Sequence, residues 1–85
     1  MPAVARTGDS TSHGGGLGQG STTLIVNGLS ACRVGDPFDC PIHGAQTIAS
    51  GSPNVENEGK GIARVGDTTT CGASITTGSP NVNAN

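Results

Sequence analysis

The chain has 85 residues and a formal net charge of −2; apolar residues make up 32% of it, with one Phe and no Trp or Tyr. So little large apolar surface excludes a big hydrophobic core, and at about this size a core alone rarely supplies more than about 3–5 kcal/mol. Four Lys+Arg in total cannot form the basic face that nucleic-acid binding needs, and there is no run of about 20 apolar residues to cross a membrane as a helix. Three cysteines would leave one thiol over in a pure disulfide framework, so a metal is the better staple.

The lead-in Met1-Pro-Ala-Val-Ala5 lacks the apolar segment of a signal peptide. It predicts synthesis in a cytoplasm and, if the chain leaves, export by a dedicated machine. Arg6-Thr-Gly-Asp9 then opens a unit that recurs as Arg33-Val-Gly-Asp36 and Arg64-Val-Gly-Asp67. Val4, Ala31 and Ile62 stand two residues before each Arg, and Ala5, Cys32 and Ala63 stand one before. Cys32 therefore occupies an alanine position and reads as a small buried side chain. Each Arg-x-Gly-Asp reads as a strand end entering a turn, with Gly supplying the turn dihedrals and Asp bonding nearby amides. An exposed Arg–Asp pair contributes only about 0–1 kcal/mol, so the pairs read as turn chemistry.

Four residues after each Asp come His13, Cys40 and Cys71. Each unit then reaches Gly-Ser, at Gly20-Ser21, Gly51-Ser52 and Gly78-Ser79. From Asp to that Gly is 11 residues in the first and third copies and 15 in the second, so four residues, Pro41 to Gly44, are inserted directly after Cys40. Leu17, Ile48 and Ile75 are equivalent across that insertion, as are Leu24, Val55 and Val82. Thr47-Ile-Ala-Ser50 and Ser74-Ile-Thr-Thr77 read as strands. Ile25-Val26-Asn27-Gly28 reads as a strand with an Asn-Gly turn, and Glu56-Asn-Glu58-Gly-Lys60 as a polar loop. The expected fold is all-β, a small pseudo-threefold cone of three hairpin-like repeats (about 4–30, 31–61 and 62–85) in a single domain spanning 1–85.

Structural zinc takes four ligands in a tetrahedron, often two Cys and two His. His13, Cys40, His43 and Cys71 match that count, three of them in repeat register and His43 on the insertion, with two residues between it and Cys40. Two thiolates and two imidazoles favour zinc, one per chain, and four protein ligands leave no open position for catalysis. A Cys40–Cys71 disulfide is the rival, and it leaves both histidines unexplained. Phe38, two residues before Cys40, reads as packing beneath the metal turn.

These features resemble the PAAR-repeat proteins, which cap the spikes of type VI secretion systems and contractile phage tails. The resemblance runs from Val4 to about Val82. It rests on the three Arg-x-Gly-Asp motifs, Ser12-His13-Gly14-Gly15, Cys40-Pro-Ile-His43-Gly44, Cys71-Gly72 and the Gly-Ser-Pro-Asn-Val repeats. The name-giving Pro-Ala-Ala-Arg is replaced by Val4-Ala-Arg6, Ala31-Cys-Arg33 and Ile62-Ala-Arg64. Some members are described with three His and one Cys at the metal, whereas this chain offers two of each. The resemblance implies a non-enzymatic, membrane-piercing tip with its metal near the apex. One monomer would dock on a trimeric valine-glycine-repeat or phage-type spike and travel with it in transient contact with a target membrane. Effector proteins are further implied partners, which makes an adaptor role the alternative. A small zinc hydrolase is the remote one, since it requires an open metal position and a general base.

Overall fold

The computed structural model describes residues 2–84. Its strands are all short: β1 (Ile25–Val26) pairs with β2 (Leu29–Ser30), β3 (Pro37–Cys40) with β4 (Gly44–Thr47), and β5 (Glu56–Asn57) with β6 (Lys60–Gly61), each pair antiparallel. The described residues form an all-β body with extents of 29 × 24 × 21 Å. Thr47 is the last residue of β4, but Ile48, Ser74 and Ile75, expected within strands, make only isolated bridges, to Thr69, Thr68 and Thr11. Each connection turns again within a few residues, so the three strand pairs stay within a repeat while the isolated bridges run mostly between repeats.

The repeats meet in a closed ring. Ala5 N–H donates to the Ala63 carbonyl (2.9 Å), Ala63 to Cys32 (2.9 Å) and Cys32 to Ala5 (3.0 Å). All three residues are fully buried, and three backbones converging at hydrogen-bond distance leave room only for small side chains. That explains why Cys32 can stand where its counterparts are alanine. On one side of this ring lie Leu17, Ile48, Ile75, Ala73, Phe38 and Cys40. A second cluster combines Val4, Ala31 and Ile62 with Val26 and Ala84.

The Gly-Ser steps have two separate reasons. Each Ser hydroxyl accepts the N–H groups two and three residues on, as in Thr23 and Leu24 to Ser21 (both 3.0 Å), the turn chemistry that Ser favours. Each Gly lets the chain pass against a neighbouring carbonyl. A Cβ on Gly20 would lie 2.4 Å from the Ala31 oxygen, and one on Gly78 2.8 Å from that of Val4.

The Arg–Asp pairs correct the sequence expectation, because they are not exposed. Asp36 accepts the Arg33 backbone N–H (2.8 Å) and both arms of its guanidinium (2.9 and 3.0 Å), while the two side chains expose 9% and 7%. The same fork recurs at Arg6–Asp9 and Arg64–Asp67. Each Arg also reaches outside its own turn, Arg6 to Asn27 and the Gly78 carbonyl, Arg33 to Asn57 and Glu58, and Arg64 to the Gly51 carbonyl. The Arg6 and Arg64 guanidiniums thereby tie one repeat to another, through Gly78 and Gly51, while that of Arg33 ties the start of its own repeat to its end.

A second correction concerns 56–60, which forms the β5–β6 hairpin and is not a loop. Glu58-Gly59 turns as Asn27-Gly28 does, with φ of +56° at Glu58 and +54° at Asn27. Glu is a poor choice for that conformation. Here its carboxylate is held by Arg33, and the flanking backbone is fixed by Ile62 N–H to Val55 and Val34 N–H to Gly61 (both 2.9 Å).

The third repeat's counterpart of β1–β2 and β5–β6 is assembled from the two ends of the described chain. Asn83 bridges Ala3, Val4 N–H donates to Val82 (2.9 Å) and Ala84 N–H to Pro2 (2.9 Å). These contacts match Ile25↔Ser30 and Ala31 N–H to Leu24 in the first hairpin.

Candidate metal centre

Three turns in the same register bring the expected ligands to one end of the molecule. His13 and Cys71 ride on tight turns closed by Gly14 N–H to Thr11 (2.9 Å) and Gly72 N–H to Thr69 (3.0 Å). Cys40 ends β3 and pairs with Gly44, so the inserted residues extend that turn into the β3–β4 hairpin, with Pro41, Ile42 and His43 at its tip. Beneath the three turns Phe38 is fully buried, while its register mates are Thr11 and Thr69. Three chains around one axis leave space there for a single large ring, and the second repeat supplies it.

His13 Nδ1 lies 3.5 Å from the Cys40 sulfur and 3.7 Å from the Cys71 sulfur. One ligand atom from each of the three residues falls within 4.8 Å of the others. Cys40 is buried, and His13 and Cys71 are half-buried. One imidazole nitrogen and two sulfurs converging without an intervening side chain form a donor set that can hold a metal ion. Both sulfurs belong to free thiols. His43 is brought alongside without joining that group: it is exposed, and its ring centroid lies 5.4 Å from that of His13 at a 49° tilt.

The electrostatics of the thiols differ with their surroundings. Burial would raise the Cys71 thiol, but hydrogen bonds from the Thr69 hydroxyl, the Ala73 backbone, Cys40 and His13 bring it down to about 7. Cys32, enclosed near the ring, is pushed up to about 12, chiefly by burial and then by the Asp36 charge. The first is poised to bind a metal as thiolate, and the second stays an inert thiol. The Thr69 hydroxyl, 3.1 Å from the Cys71 sulfur, is a participant that the sequence reading passed over. Its only signal there is a Thr two residues before the ligand in the first and third repeats.

A family model described as PAAR motif matches residues 7–77 of the 85. The chain belongs to the PAAR-motif family. No curated protein matches it. The PAAR match begins inside the first Arg-x-Gly-Asp, stops one residue short of the third Gly-Ser, and includes His13, Cys40, His43 and Cys71. In this PAAR protein the backbone ring and the His–Cys–Cys group are thus parts of one repeat pattern.

Proposed function

We propose that this protein is a structural, membrane-piercing tip that caps the trimeric β-helical spike of a contractile injection machine, as its family membership suggests. The observation that carries the reading is the convergence of three register-equivalent side chains at one end of a pseudo-threefold body. Such a body can meet a threefold partner as a single copy, and a metal at the narrow end would hold three turns together where little apolar surface is available. The opposite role, docking, falls to the end bearing the second apolar cluster, where Ile25, Leu29, Val55 and Val82 are exposed. There, short hairpins can extend a partner's strands.

On this reading the metal is one structural zinc per chain, held by His13, Cys40, Cys71 and, swung in from the hairpin tip, His43. Usual zinc bond lengths put sulfur and nitrogen about 3.6 Å apart across a tetrahedral edge, and 3.5 and 3.7 Å are found. The whole chain acts as one domain with no turnover, made in a cytoplasm and carried out with the spike through transient contact with a target membrane. The test is co-purification with a trimeric spike of valine-glycine-repeat or phage type encoded beside it. One chain per trimer is expected, and failure to bind any such spike would overturn the role. A His43→Ala variant is expected to lose zinc affinity by tenfold or more; unchanged affinity would remove His43 from the ligand set.

An adaptor role is the second reading, favoured by one observation. The β1–β2 hairpin exposes Ile25 and Leu29, whereas β5–β6 presents Glu56 and Lys60 in the equivalent places. A cargo protein could therefore distinguish one side of the pseudo-threefold body from another. Pull-down of an effector together with the spike would support it.

A further inference from the structure

The position two residues before each metal-side residue is occupied by Thr11, Phe38 and Thr69, and the three do different work. The Thr11 hydroxyl is spent on its own turn, donating to the Gly14 carbonyl (2.9 Å) and accepting the His13 N–H (3.3 Å). Phe38 has no hydroxyl and fills the axis. Thr69 alone directs its hydroxyl at a donor atom of the cluster, the Cys71 sulfur at 3.1 Å. Thr69 is itself 3% exposed and is fixed by its backbone N–H to Ala73 (2.9 Å) and its bridge to Ile48. Its hydroxyl therefore has a defined direction, and the site's two sulfurs are inequivalent: Cys71 has a hydroxyl partner and Cys40 has none among the described side chains.

We infer that Thr69 is a positioning residue for the metal-bound Cys71. Its O–H donates to the thiolate sulfur, points that sulfur toward His13 Nδ1 and draws off part of its charge. A hydrogen bond to a ligand atom orients it and tunes its donor strength, and removing such a partner usually costs 10–100-fold in metal affinity. The inference rests on the reading of His13, Cys40 and Cys71 as metal ligands.

The test compares full-length wild type with Thr69→Val, which keeps the shape and removes the hydroxyl, and with Thr69→Ser, which keeps the hydroxyl. Each is titrated with Co²⁺, followed by its thiolate-to-metal charge-transfer absorption, and then with Zn²⁺ against a chromogenic chelator. Thr69→Val is expected to bind zinc about tenfold or more weakly and to move the cobalt band to lower energy, because the sulfur electrons lose their hydrogen bond. Thr69→Ser is expected to restore both, and Thr11→Val to leave the band in place. If Thr69→Val does not fold, Thr69→Ala takes its place with the same readouts. An unmoved cobalt band, or a Ser variant no better than Val, would overturn the inference while wild-type binding kept the metal reading intact. A wild type that bound neither ion would overturn the metal reading itself, and this inference with it.

Discussion

At the scale of single residues, stability concentrates in the Arg–Asp forks. Burial alone would raise the Asp67 carboxyl, but hydrogen bonds from the Arg64 side chain and backbone, the Arg64 charge and the Ser50 hydroxyl outweigh it and hold it below 3.8. A carboxyl depressed in the folded state contributes stability that is complete above its unfolded value, about 3.9, and is lost as pH falls through the folded value. Asp67→Asn is therefore expected to lower unfolding free energy by about 1–3 kcal/mol at neutral pH. In urea melts, its difference from wild type should shrink as pH drops below about 4. A difference that persists undiminished toward pH 2 would show that the carboxylate charge is not what matters. The bond from Asp to a nearby amide was legible beforehand, but the burial of the pair was not. Arg and Asp three apart announced a turn, but nothing in the local sequence said that Gly78 and Gly51 would come from other repeats, or Asn27 from the far end of the same one, to enclose the guanidiniums.

At the scale of elements, register was the readable quantity and local conformation was not. The equal spacings on either side of the insertion anticipated which residues would share a layer. The ring of Ala5, Cys32 and Ala63 follows directly from them. Glu56 to Lys60 looked like a loop because its residues are polar, yet neighbouring repeats impose the hairpin through backbone groups that composition does not reveal. The β3–β4 hairpin is the complementary case, since four extra residues in an otherwise constant spacing lengthened a turn. Excising Pro41 to Gly44 should accordingly leave a folded protein whose second turn resembles the other two. Its zinc affinity should fall by at least tenfold as His43 is lost. Dispersed amide resonances together with weakened binding in a chelator competition are the expected result; a chain unfolded even with metal would mean that the hairpin is needed for the fold itself. Asn27→Ala tests the partner hairpin. Left-handed backbone costs a non-Gly side chain about 1–2 kcal/mol, and the bonds of Asn27 to Arg6, Ser79 and Asn81 would go as well. A fall in the denaturant midpoint larger than that of Thr22→Ala on the exposed surface is expected.

At the scale of the molecule, the metal reading makes a global demand. A small core and one linked set of turns imply that chelation should destabilise the whole chain by about 3 kcal/mol or more, a fall in Tm of at least about 12 °C. Zinc analysis with melting curves before and after a strong chelator checks this. A metal-free protein with Cys40 joined to Cys71 would replace the four-ligand site by a disulfide. The convergence of His13, Cys40 and Cys71 could be expected from repeat register alone, whereas the standing of His43 could not, because an inserted turn obeys no symmetry.

The hairpin built from residues near both ends has a consequence for topology. The bonds of Val4 to Val82 and of Ala84 to Pro2, with the Ala3–Asn83 bridge, close the ring of repeats as the covalent turn at Asn27-Gly28 does elsewhere. The contacts thus describe a cycle, and linear order is one of several ways to cut it. A permuted chain with Asn85 joined directly to Met1 and opened between Glu58 and Gly59 should reach the same native state, bind the same metal and melt within several degrees of the parent. Which repeat is translated first would then be a property of the gene, carrying no information that the fold uses.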